Sequence, residues 1–217
     1  MSAIQKDFDR IALVSPDGSL HNNHYHNFLL RQLPIDCQSA LEIGCGQGEF
    51  SHRLAEHSQR VLALDLSPEM IRIARASSAH LPNIDFQIAD VMSYDLPSES
   101  FDCVASIATL HHLPLREVLL KMKAALKPGG VLLVLDLFEP RGVMDALLNP
   151  LAVSVSGTLR LIHHRRLLPA REARAAWAAH ERHDIYPTMN EVRALCAEIL
   201  PNARIKKHLL WRYSVIQ

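Results

Sequence analysis

The chain has 217 residues, 48% of them apolar, which is enough to bury a sizeable core within one domain. Its 23 basic and 23 acidic residues give a formal net charge of +0, so bulk charge offers no basis for binding a nucleic acid. The four cysteines, Cys37, Cys45, Cys103 and Cys196, form no C-x-x-C pair, which argues against a disulfide framework or a zinc site and favours a reducing compartment, the cytoplasm.

The first 34 residues carry turn and helix signals but no targeting signal. The N-terminus lacks the apolar run of a signal peptide, and no stretch of the chain reaches the roughly 18 consecutive apolar residues of a transmembrane helix. Ser15–Gly18, reading Ser-Pro-Asp-Gly, predicts a turn. Apolar residues at helical spacing predict a helix over Asn23–Leu33, which Pro34 ends.

The stretch Ala40–Phe50 predicts a buried strand, a glycine turn and the start of a helix. Gly44, Gly46 and Gly48 stand at every second position after the apolar strand residues. Glycine is required where a backbone turns at positive φ or where a ligand approaches it closely. The helix N-terminus just beyond offers free N–H groups, so this turn is a candidate ligand site.

Two aspartates follow the next two predicted strands. Asp65 ends the apolar run that begins at Arg60, and Ser67 then supplies an N-cap for a helix with proline at its first position. An acid here, about 20 residues after the glycine turn, can accept both hydrogen bonds from a ribose diol, although it could also be an ordinary helix-flanking aspartate. Asp90 follows the third strand, Ile84–Ala89, and could be a binding residue or a turn cap.

The fourth strand, Phe101–Ser106, leads into a segment with two consecutive histidines, His111 and His112. This segment lies at the carboxyl end of the predicted sheet, which is where ligands bind in open α/β folds. The sequence therefore places two titratable side chains near the candidate site.

A helix, a turn and a fifth strand come next. Pro114 begins an amphipathic helix, Lys127–Gly130 ends it with a tight turn, and Val131–Phe138 predicts the fifth buried strand. Strands and helices thus alternate from 40 to 138, which predicts βαβ units with a parallel sheet. Right-handed crossovers make such a chain a doubly wound α/β sandwich.

Residues 139–187 depart from this alternation and predict inserted helices. Gly142–Ile162 is largely apolar, the cluster His163–Arg166 follows it, and Arg171–His180 is alanine-rich and helical. The histidine and arginine cluster could face an acidic substrate, an anionic lipid surface or water.

The end of the chain predicts one helix followed by β structure. Thr188 and Glu191 form a capping-box pattern that opens a helix reaching Ile199, and residues 202–217 alternate as strands do, with hardly any room for a loop between two of them. The chain contains no repeat and no low-complexity linker, so we expect 1–217 to form a single domain.

Four landmarks, in this order, resemble those of class I S-adenosylmethionine-dependent methyltransferases. They are Glu42 two residues before the glycine turn, Asp65, Asp90, and the sequence Leu-Lys-Pro-Gly-Gly over residues 126–130. The resemblance covers 40–138 and, in outline, 188–217. It implies a doubly wound, mostly parallel seven-stranded sheet with an antiparallel strand pair at its edge. It also implies that 1–39 form an N-terminal cap and that 139–187 form a helical lid insertion.

The resemblance implies S-adenosylmethionine as the cofactor and S-adenosylhomocysteine as the product. The glycine turn would hold the methionine end, Asp65 the ribose and Asp90 the adenine. The cofactor-binding residues expected on this basis are Glu42, Gly44, Cys45, Gly46, Gly48, Asp65, Leu66, Met70, Asp90, Val91 and Ile107.

The expected chemistry is in-line methyl transfer from a sulfonium to a nucleophile, for which a protein supplies alignment, desolvation and, where needed, a base. His111 is the first candidate for a base, with His112, Tyr25 and His26 behind it, because imidazole titrates near neutral pH. Since Leu-His-His recurs in the family, His111 could also be structural. Tyr25, His26 and His111 are the expected substrate-pocket residues, and no metal ligand is expected.

The acceptor is expected to be a small molecule. The net charge is zero, and the Asn/Asp-Pro-Pro-Tyr/Trp motif of many nucleic-acid amino methyltransferases is absent. Three alternatives stay open at this point: a nicotinamide-dependent oxidoreductase, an adenosyl-cofactor-binding protein without turnover, and peripheral membrane contact through residues 143–166 with a hydrophobic acceptor. The oligomeric state is not predicted.

Overall fold

The computed structural model describes residues 2–15, 20–141, 143–164 and 170–217. Its strands alternate with helices along the first two thirds of the chain and end in a strand pair. The strands are β1 (Ser39–Ile43), β2 (Arg60–Asp65), β3 (Ile84–Ile88), β4 (Phe101–Ile107), β5 (Leu126–Leu137), β6 (Arg204–Lys207) and β7 (Arg212–Ile216).

The described helices surround this sheet, with short 3-10 turns at 110–112 and 181–183. They are α1 (Ala3–Val14), α2 (Leu20–Asn23), α3 (His26–Leu30), α4 (Glu49–Ala55), α5 (Pro68–Ser77), α6 (Leu115–Ala125), α7 (Val143–His164), α8 (Arg171–His180) and α9 (Met189–Ile199).

The strands form one seven-stranded sheet in the order β3-β2-β1-β4-β5-β7-β6. The pairs among β1–β5 are parallel, whereas β7 pairs antiparallel with both β5 and β6. The strand order reverses between β1 and β4, and such a switch point opens a crevice at the carboxyl ends of the strands. The expected doubly wound, mostly parallel seven-stranded sheet is confirmed.

Alternate residues of the central strands point to opposite faces of the sheet, and each face carries its own apolar core. Leu41 packs with the α6 and α9 side, where Met122 and Val192 are buried. Its neighbour Ala40 packs on the other face, where Phe50 of α4 is buried. Helices therefore cover both faces, which explains why the strand sequences are apolar throughout.

The helix starts predicted from capping residues are found in the structure. The Ser67 hydroxyl accepts a hydrogen bond from the Met70 N–H at 3.1 Å, and Pro68 is the first residue of α5. Thr188 and Glu191 form a complete capping box at the start of α9. Both are local side-chain-to-backbone interactions, so sequence spacing is enough to predict them.

The N-terminal segment differs from the prediction. Residues 3–14 form α1, which the sequence did not single out, and the predicted helix over Asn23–Leu33 is reduced to α3, with α2 just before it. A turn at residues 24–25 separates the two short helices, so the apolar spacing reflects packing against the sheet rather than one continuous helix. The predicted turn at Ser15–Gly18 lies almost wholly outside the described residues.

The predicted boundary of the fifth strand is corrected as well. β5 begins at Leu126, and the Lys-Pro-Gly-Gly stretch forms an irregularity inside it, since Phe101 pairs with Leu126 and Cys103 pairs with Val131. Gly129 has φ 80°, so a glycine lets the chain turn there without leaving the sheet edge.

The insertion between β5 and α9 is helical, as predicted. α7 contains Pro150 and α8 follows the undescribed residues 165–169. Arg165 and Arg166 of the predicted basic cluster lie outside the described residues. Within the described part of the chain, no helix combines the length and apolar character needed to cross a membrane.

Candidate active site

A cavity of about 1000 Å³ lies above the carboxyl ends of the parallel strands. Its floor contains Gly44 after β1, Asp90 after β3 and Ala108 after β4. Its roof comes from α1 and α8, which pack against each other. The cavity thus sits in the crevice that the strand order creates.

The glycine turn forms one wall of the cavity. Gly44, Gly46 and Gly48 have φ 74°, 54° and 86°, a region that favours glycine. A Cβ on Gly44 would lie 2.1 Å from Thr109 Oγ1, whereas one on Gly46 would meet nothing within 4 Å. The turn therefore needs glycine for its own packing at the first position and leaves open space at the second.

Asp65 holds the turn and the next helix together. Its Oδ2 accepts from the Gly46 N–H and its Oδ1 from the Ser67 N–H, both at 2.8 Å. Burial raises the pKa of Asp65, and this effect is larger than the lowering by those two hydrogen bonds. Asp65, Leu66 and Met70 all line the cavity.

Glu42 is a buried carboxyl on the floor of the cavity, with 2% of its surface exposed. The Ser51 hydroxyl donates to its Oε2. Burial raises the pKa of Glu42 to about 8, so this side chain is largely protonated at neutral pH.

The far end of the cavity is formed by Asp90 and Val91. Asp90 is exposed, and its Oδ1 accepts from the Met92 N–H at 2.9 Å, while Val91 is buried with 5% of its surface exposed. A carboxylate beside an apolar contact can recognise a flat, partly polar ring such as adenine.

His111 is fixed by a carboxylate that sequence reasoning did not single out. Its Nδ1 lies 2.6 Å from Oδ1 of Asp136, and its backbone N–H donates to Oδ2 at 2.9 Å. Asp136 is fully buried and also accepts from the Leu137 N–H at 2.8 Å. A carboxylate on Nδ1 favours the tautomer that leaves Nε2 as the proton acceptor.

A second polar cluster stands beside this pair. Nδ1 of His112 lies 3.3 Å from Oδ1 of Asp184, and Tyr186 donates its hydroxyl to Oδ2 at 2.9 Å. Burial, with the neighbouring His111, lowers the pKa of His112 to about 4. Burial and then Asp184 raise the pKa of the Tyr186 hydroxyl. His180 of α8 also approaches Asp184, with 3.8 Å between Nε2 and Oδ2.

Among the described residues, this cluster brings together three side chains of the kinds that bind metal ions. One ligand atom from each of His111, His112 and Asp184 lies within 4.8 Å of the others. No motif in the sequence predicts this group, because Asp184 lies far along the chain from His111 and His112. Neither spacing nor periodicity relates them; only the fold of the insertion does.

Two of the expected site residues do not line the cavity. Gly48 caps α4, and a Cβ there would lie 3.0 Å from Phe86. The Tyr25 hydroxyl donates to the Leu209 carbonyl at 2.6 Å, which ties the segment before α3 to the link between β6 and β7. The remaining expected residues that line the cavity are Glu42, Gly44, Cys45, Gly46, Asp65, Leu66, Met70, Asp90, Val91, Ile107, His26 and His111.

His26 lines the cavity but is poorly suited to accept a proton. Its side chain is buried beside Phe50, with 4.9 Å between the ring centroids. Burial, with the nearby Arg53, lowers the pKa of His26 to about 4. A base with so low a pKa takes up protons weakly at neutral pH.

Comparison with known proteins is consistent with this geometry. A family model described as a methyltransferase domain matches residues 40–130. An uncharacterized methyltransferase of Mycobacterium bovis is 36% identical over 120 residues, which are 55% of this chain and 60% of the relative. A ubiquinone biosynthesis O-methyltransferase of Coxiella burnetii is 31% identical over 126 residues, 54% of this chain and 53% of the relative. The chain therefore matches only a little over half the length of these relatives.

A solved structure extends the similarity to nearly the whole chain. The S-adenosylmethionine-dependent methyltransferase from Mesorhizobium loti superposes with a TM-score of 0.62 at 19% identity, covering 91% of this chain and 99% of that one. This similarity is one of fold.

Proposed function

We propose that this chain, which belongs to the class I S-adenosylmethionine-dependent methyltransferase family, binds that cofactor in its cavity and transfers the methyl group to a small-molecule acceptor. The observation that carries the proposal is the order of groups along one wall. Gly44 and Gly46, Asp65 and Asp90 stand at the carboxyl ends of β1, β2 and β3, which are adjacent strands. Such a row suits an extended ligand with an amino-acid end, a ribose and a ring.

The residues of this wall have separate roles in the proposal. The Gly46 backbone and the carboxyl of Glu42 would hold the methionine end, and Asp65 would accept from the ribose hydroxyls. Asp90 would accept from the adenine amino group while Val91 packs on the ring. Cys45, Leu66, Met70 and Ile107 complete the contact surface.

His111 is the proposed base for an acceptor that must lose a proton. When bound, the cofactor supplies a methyl group already activated by a positive sulfur. His111 Nε2 takes the proton of the attacking O–H or N–H group, and Asp136 stabilises the resulting imidazolium through Nδ1. The cofactor would supply the methyl group and leave as S-adenosylhomocysteine, and the proton removed from the acceptor would stay on His111.

The two end segments would act as a cap and a lid within one domain. Phe8 of α1 contacts the ring of His112 with 5.4 Å between centroids, and that of His180 with 4.6 Å. Residues 1–39 and 139–187 thus meet over the cavity, which supports their assignment as cap and lid. Closure by them would exclude water from the reacting groups.

A small acceptor is supported by the size of the cavity, about 1000 Å³, and by the name of the Coxiella relative, a ubiquinone biosynthesis O-methyltransferase. A hydrophobic acceptor at a membrane surface is the second candidate. Leu147, Leu151 and Ile162 of α7 are 68%, 52% and 68% exposed, which is unusual for large apolar side chains. Binding to anionic vesicles at low salt supports this candidate, and the absence of binding removes it.

The cofactor assignment is tested by calorimetric titration with S-adenosylmethionine, S-adenosylhomocysteine and NADH. We expect micromolar binding of both adenosyl ligands, none of NADH, and a loss of about tenfold in affinity, about 1.4 kcal/mol, in Asp65→Ala. Asp85→Ala is the matched control, because Asp85 is an exposed carboxylate on β3 outside the cavity lining. Binding of NADH instead, or equal effects of the two substitutions, would reject the assignment.

A methyl-transfer assay separates the enzyme from a cofactor-binding protein without turnover. Release of S-adenosylhomocysteine that depends on an added acceptor supports an enzyme, while tight adenosyl binding without turnover across a broad acceptor screen supports the alternative. We expect activity to survive dialysis against EDTA, since the sulfonium itself activates the methyl group. Loss of activity that zinc or manganese restores would instead assign the His111, His112 and Asp184 group to a cation.

A further inference from the structure

The cavity is longer than the proposed cofactor wall. The groups assigned to the cofactor follow β1 to β4, but the cavity continues past the ends of β5 and β7, where Leu137 and Arg212 line it. Adjacent strands lie about 4.8 Å apart, so these two strands add roughly 10 Å to the row. This extension lies next to His111, on the side away from Asp90, and is available to the acceptor.

The extension ends at a buried cation. Arg212 is the first residue of β7, pairs with Leu137 of β5 and has 6% of its surface exposed. Its Nε donates to Oδ1 of Asn22 at 2.9 Å and its Nη1 to the Leu210 carbonyl at 3.0 Å. Both acceptors are neutral, so they orient the guanidinium without balancing its charge.

No carboxylate of the described residues lies within ion-pair distance, 4.0 Å, of this guanidinium. Asp136 acts on it at longer range, but that carboxylate already accepts from His111 and Leu137. Three of the five N–H donors of an arginine therefore have no partner in the described part of the chain. A buried charge without a direct counter-ion is costly, which marks it as a binding group.

The backbone leading to Arg212 is strained. Leu210 and Trp211 have φ 61° and 60°, a region that residues with a side chain rarely adopt. Leu210 is 1% exposed, and the Tyr25 hydroxyl holds the preceding carbonyl of Leu209. Such strain persists where the surroundings impose it, and here it fixes the position of the arginine at the cavity wall.

We propose that the methyl acceptor carries an oxyanion, a carboxylate or a phosphate, that pairs with Arg212 while its nucleophile faces His111. The inference rests on the proposed function, because it concerns the acceptor half of the same cavity. Guanidinium presents donors in a fixed planar fork that matches such oxyanions. Phe8, Ile11 and Trp177 of the roof also line the cavity, so the body of the acceptor is apolar.

The test uses matched pairs of probes with the protein saturated by S-adenosylhomocysteine. Benzoate is compared with benzamide, and phenyl phosphate with phenol, by calorimetric titration. We expect at least one anion to bind about tenfold more tightly than its neutral counterpart, a preference lost in Arg212→Gln and only partly kept in Arg212→Lys, which keeps the charge but not the planar fork. The pair that shows the preference distinguishes a carboxylate from a phosphate.

Arg174→Gln is the control, since Arg174 lines the same cavity from α8 but is exposed. We expect it to keep the preference for the anion. Equal binding of anion and neutral probe by the unmodified chain, or an unchanged preference in Arg212→Gln, overturns the inference. If Arg212→Gln instead weakens S-adenosylhomocysteine itself by about tenfold, the guanidinium holds the carboxylate of the cofactor and the inference is also wrong.

The two proposals fail in different ways. Absence of adenosyl binding in the unmodified chain contradicts the proposed function, and the anion probes can still be titrated against the chain without cofactor. Adenosyl binding without any preference for an anion contradicts the acceptor inference alone. Thermal unfolding of each variant, with recovery of S-adenosylhomocysteine binding, excludes misfolding as the cause of a lost preference.

Discussion

At the scale of single residues, we predict that Glu42 makes cofactor binding depend on pH. Its carboxyl is largely protonated at neutral pH because burial raises its pKa to about 8, yet the cofactor brings a positive ammonium group. Binding should therefore release a proton, and affinity should rise as the pH increases towards about 8. Calorimetry in buffers of different ionisation enthalpy measures that proton.

Glu42→Gln is the variant that tests this coupling. Glutamine keeps an acceptor for the Ser51 hydroxyl but cannot ionise, so proton release should vanish and the affinity should no longer change with pH in this range. The same pH dependence in Glu42→Gln as in the unmodified chain would assign the proton to another group.

We expect alanine at Gly44 and alanine at Gly46 to destabilise the protein to different extents. Gly44→Ala places a Cβ 2.1 Å from Thr109 Oγ1 and should lower the free energy of unfolding by several kcal/mol, on the order of an overpacked core. Gly46→Ala meets no protein atom within 4 Å, so it should lose only about 1–2 kcal/mol of stability from its φ of 54°.

Cofactor affinity separates the two glycine variants further. A Cβ at residue 46 enters the open space of the cavity, and we expect a loss of affinity of at least about tenfold in a protein that is still folded. Urea unfolding and calorimetry measure the two quantities separately. An unchanged affinity in Gly46→Ala would show that the cofactor does not approach this backbone.

The pairing of His111 with Asp136 predicts a rate effect without a binding effect. In Asp136→Asn the neutral amide offers one acceptor oxygen where the carboxylate offers two, and it cannot stabilise the imidazolium by charge, so kcat should fall by about 10²–10⁴, the usual contribution of a general base. His111→Gln should give a similar loss, while both variants keep adenosyl affinity. If kcat is unchanged in His111→Gln, the histidine is structural.

At the scale of elements, the side chain of Asp9 connects the roof helix α1 to the start of α5. Oδ1 of Asp9 accepts from the Ser67 hydroxyl at 2.5 Å and from the Glu69 N–H at 3.3 Å, so α1 helps to cap α5. Asp9→Ala should therefore cost about 1 kcal/mol of stability, as loss of a helix cap does.

The same substitution should also speed release of the cofactor, because α1 covers the cavity. Stopped-flow displacement of S-adenosylhomocysteine measures the dissociation rate, which should rise several-fold in Asp9→Ala. Arg10→Ala is the control, since Arg10 is exposed on the same helix. Equal dissociation rates in both variants and the unmodified chain would mean that α1 does not act as a cap.

At the scale of the whole molecule, we expect two histidines that are buried or partly buried to make the fold sensitive to acid. Burial lowers the pKa of His26 and of His208 to about 4, from an ordinary value near 6.5. The folded state then binds fewer protons than the unfolded state between these values. Their contribution to stability is full above about pH 6.5 and is lost as the pH falls towards about 4.

Urea unfolding at a series of pH values checks this sign. We expect the free energy of unfolding to fall between about pH 6.5 and pH 4, and the double variant His26→Gln with His208→Gln to show a shallower fall. His57→Gln is the control, because His57 is exposed. Glu42 has the opposite effect on stability, because its raised pKa means that protonation stabilises the folded state. The histidine substitutions are therefore compared in a Glu42→Gln background, which removes this contribution.

The sheet and the wall proposed for the cofactor could be predicted from local sequence patterns. Gly44 directly follows β1, Asp65 ends β2 and Asp90 lies just beyond β3. Because the carboxyl ends of parallel strands meet at one edge of a sheet, local patterns were enough to place these residues together. The helix caps Ser67 and Thr188 also interact with residues only three positions further along the chain. These features depend on residues close in the chain, which is the range that spacing and periodicity can report.

The other half of the cavity depends on contacts between distant parts of the chain and could not be predicted from such patterns. Asp136, Asp184 and Arg212 come from β5, the insertion and β7, and nothing in their spacing relates them to His111. Tyr25 was expected in the substrate pocket, but its hydroxyl donates to the Leu209 carbonyl and it does not line the cavity. Its position depends on which face of its segment packs inwards. The amphipathic pattern of a helix shows that one face is buried, but it does not show which element covers that face. The roof, the polar cluster and the buried arginine therefore required knowledge of long-range packing.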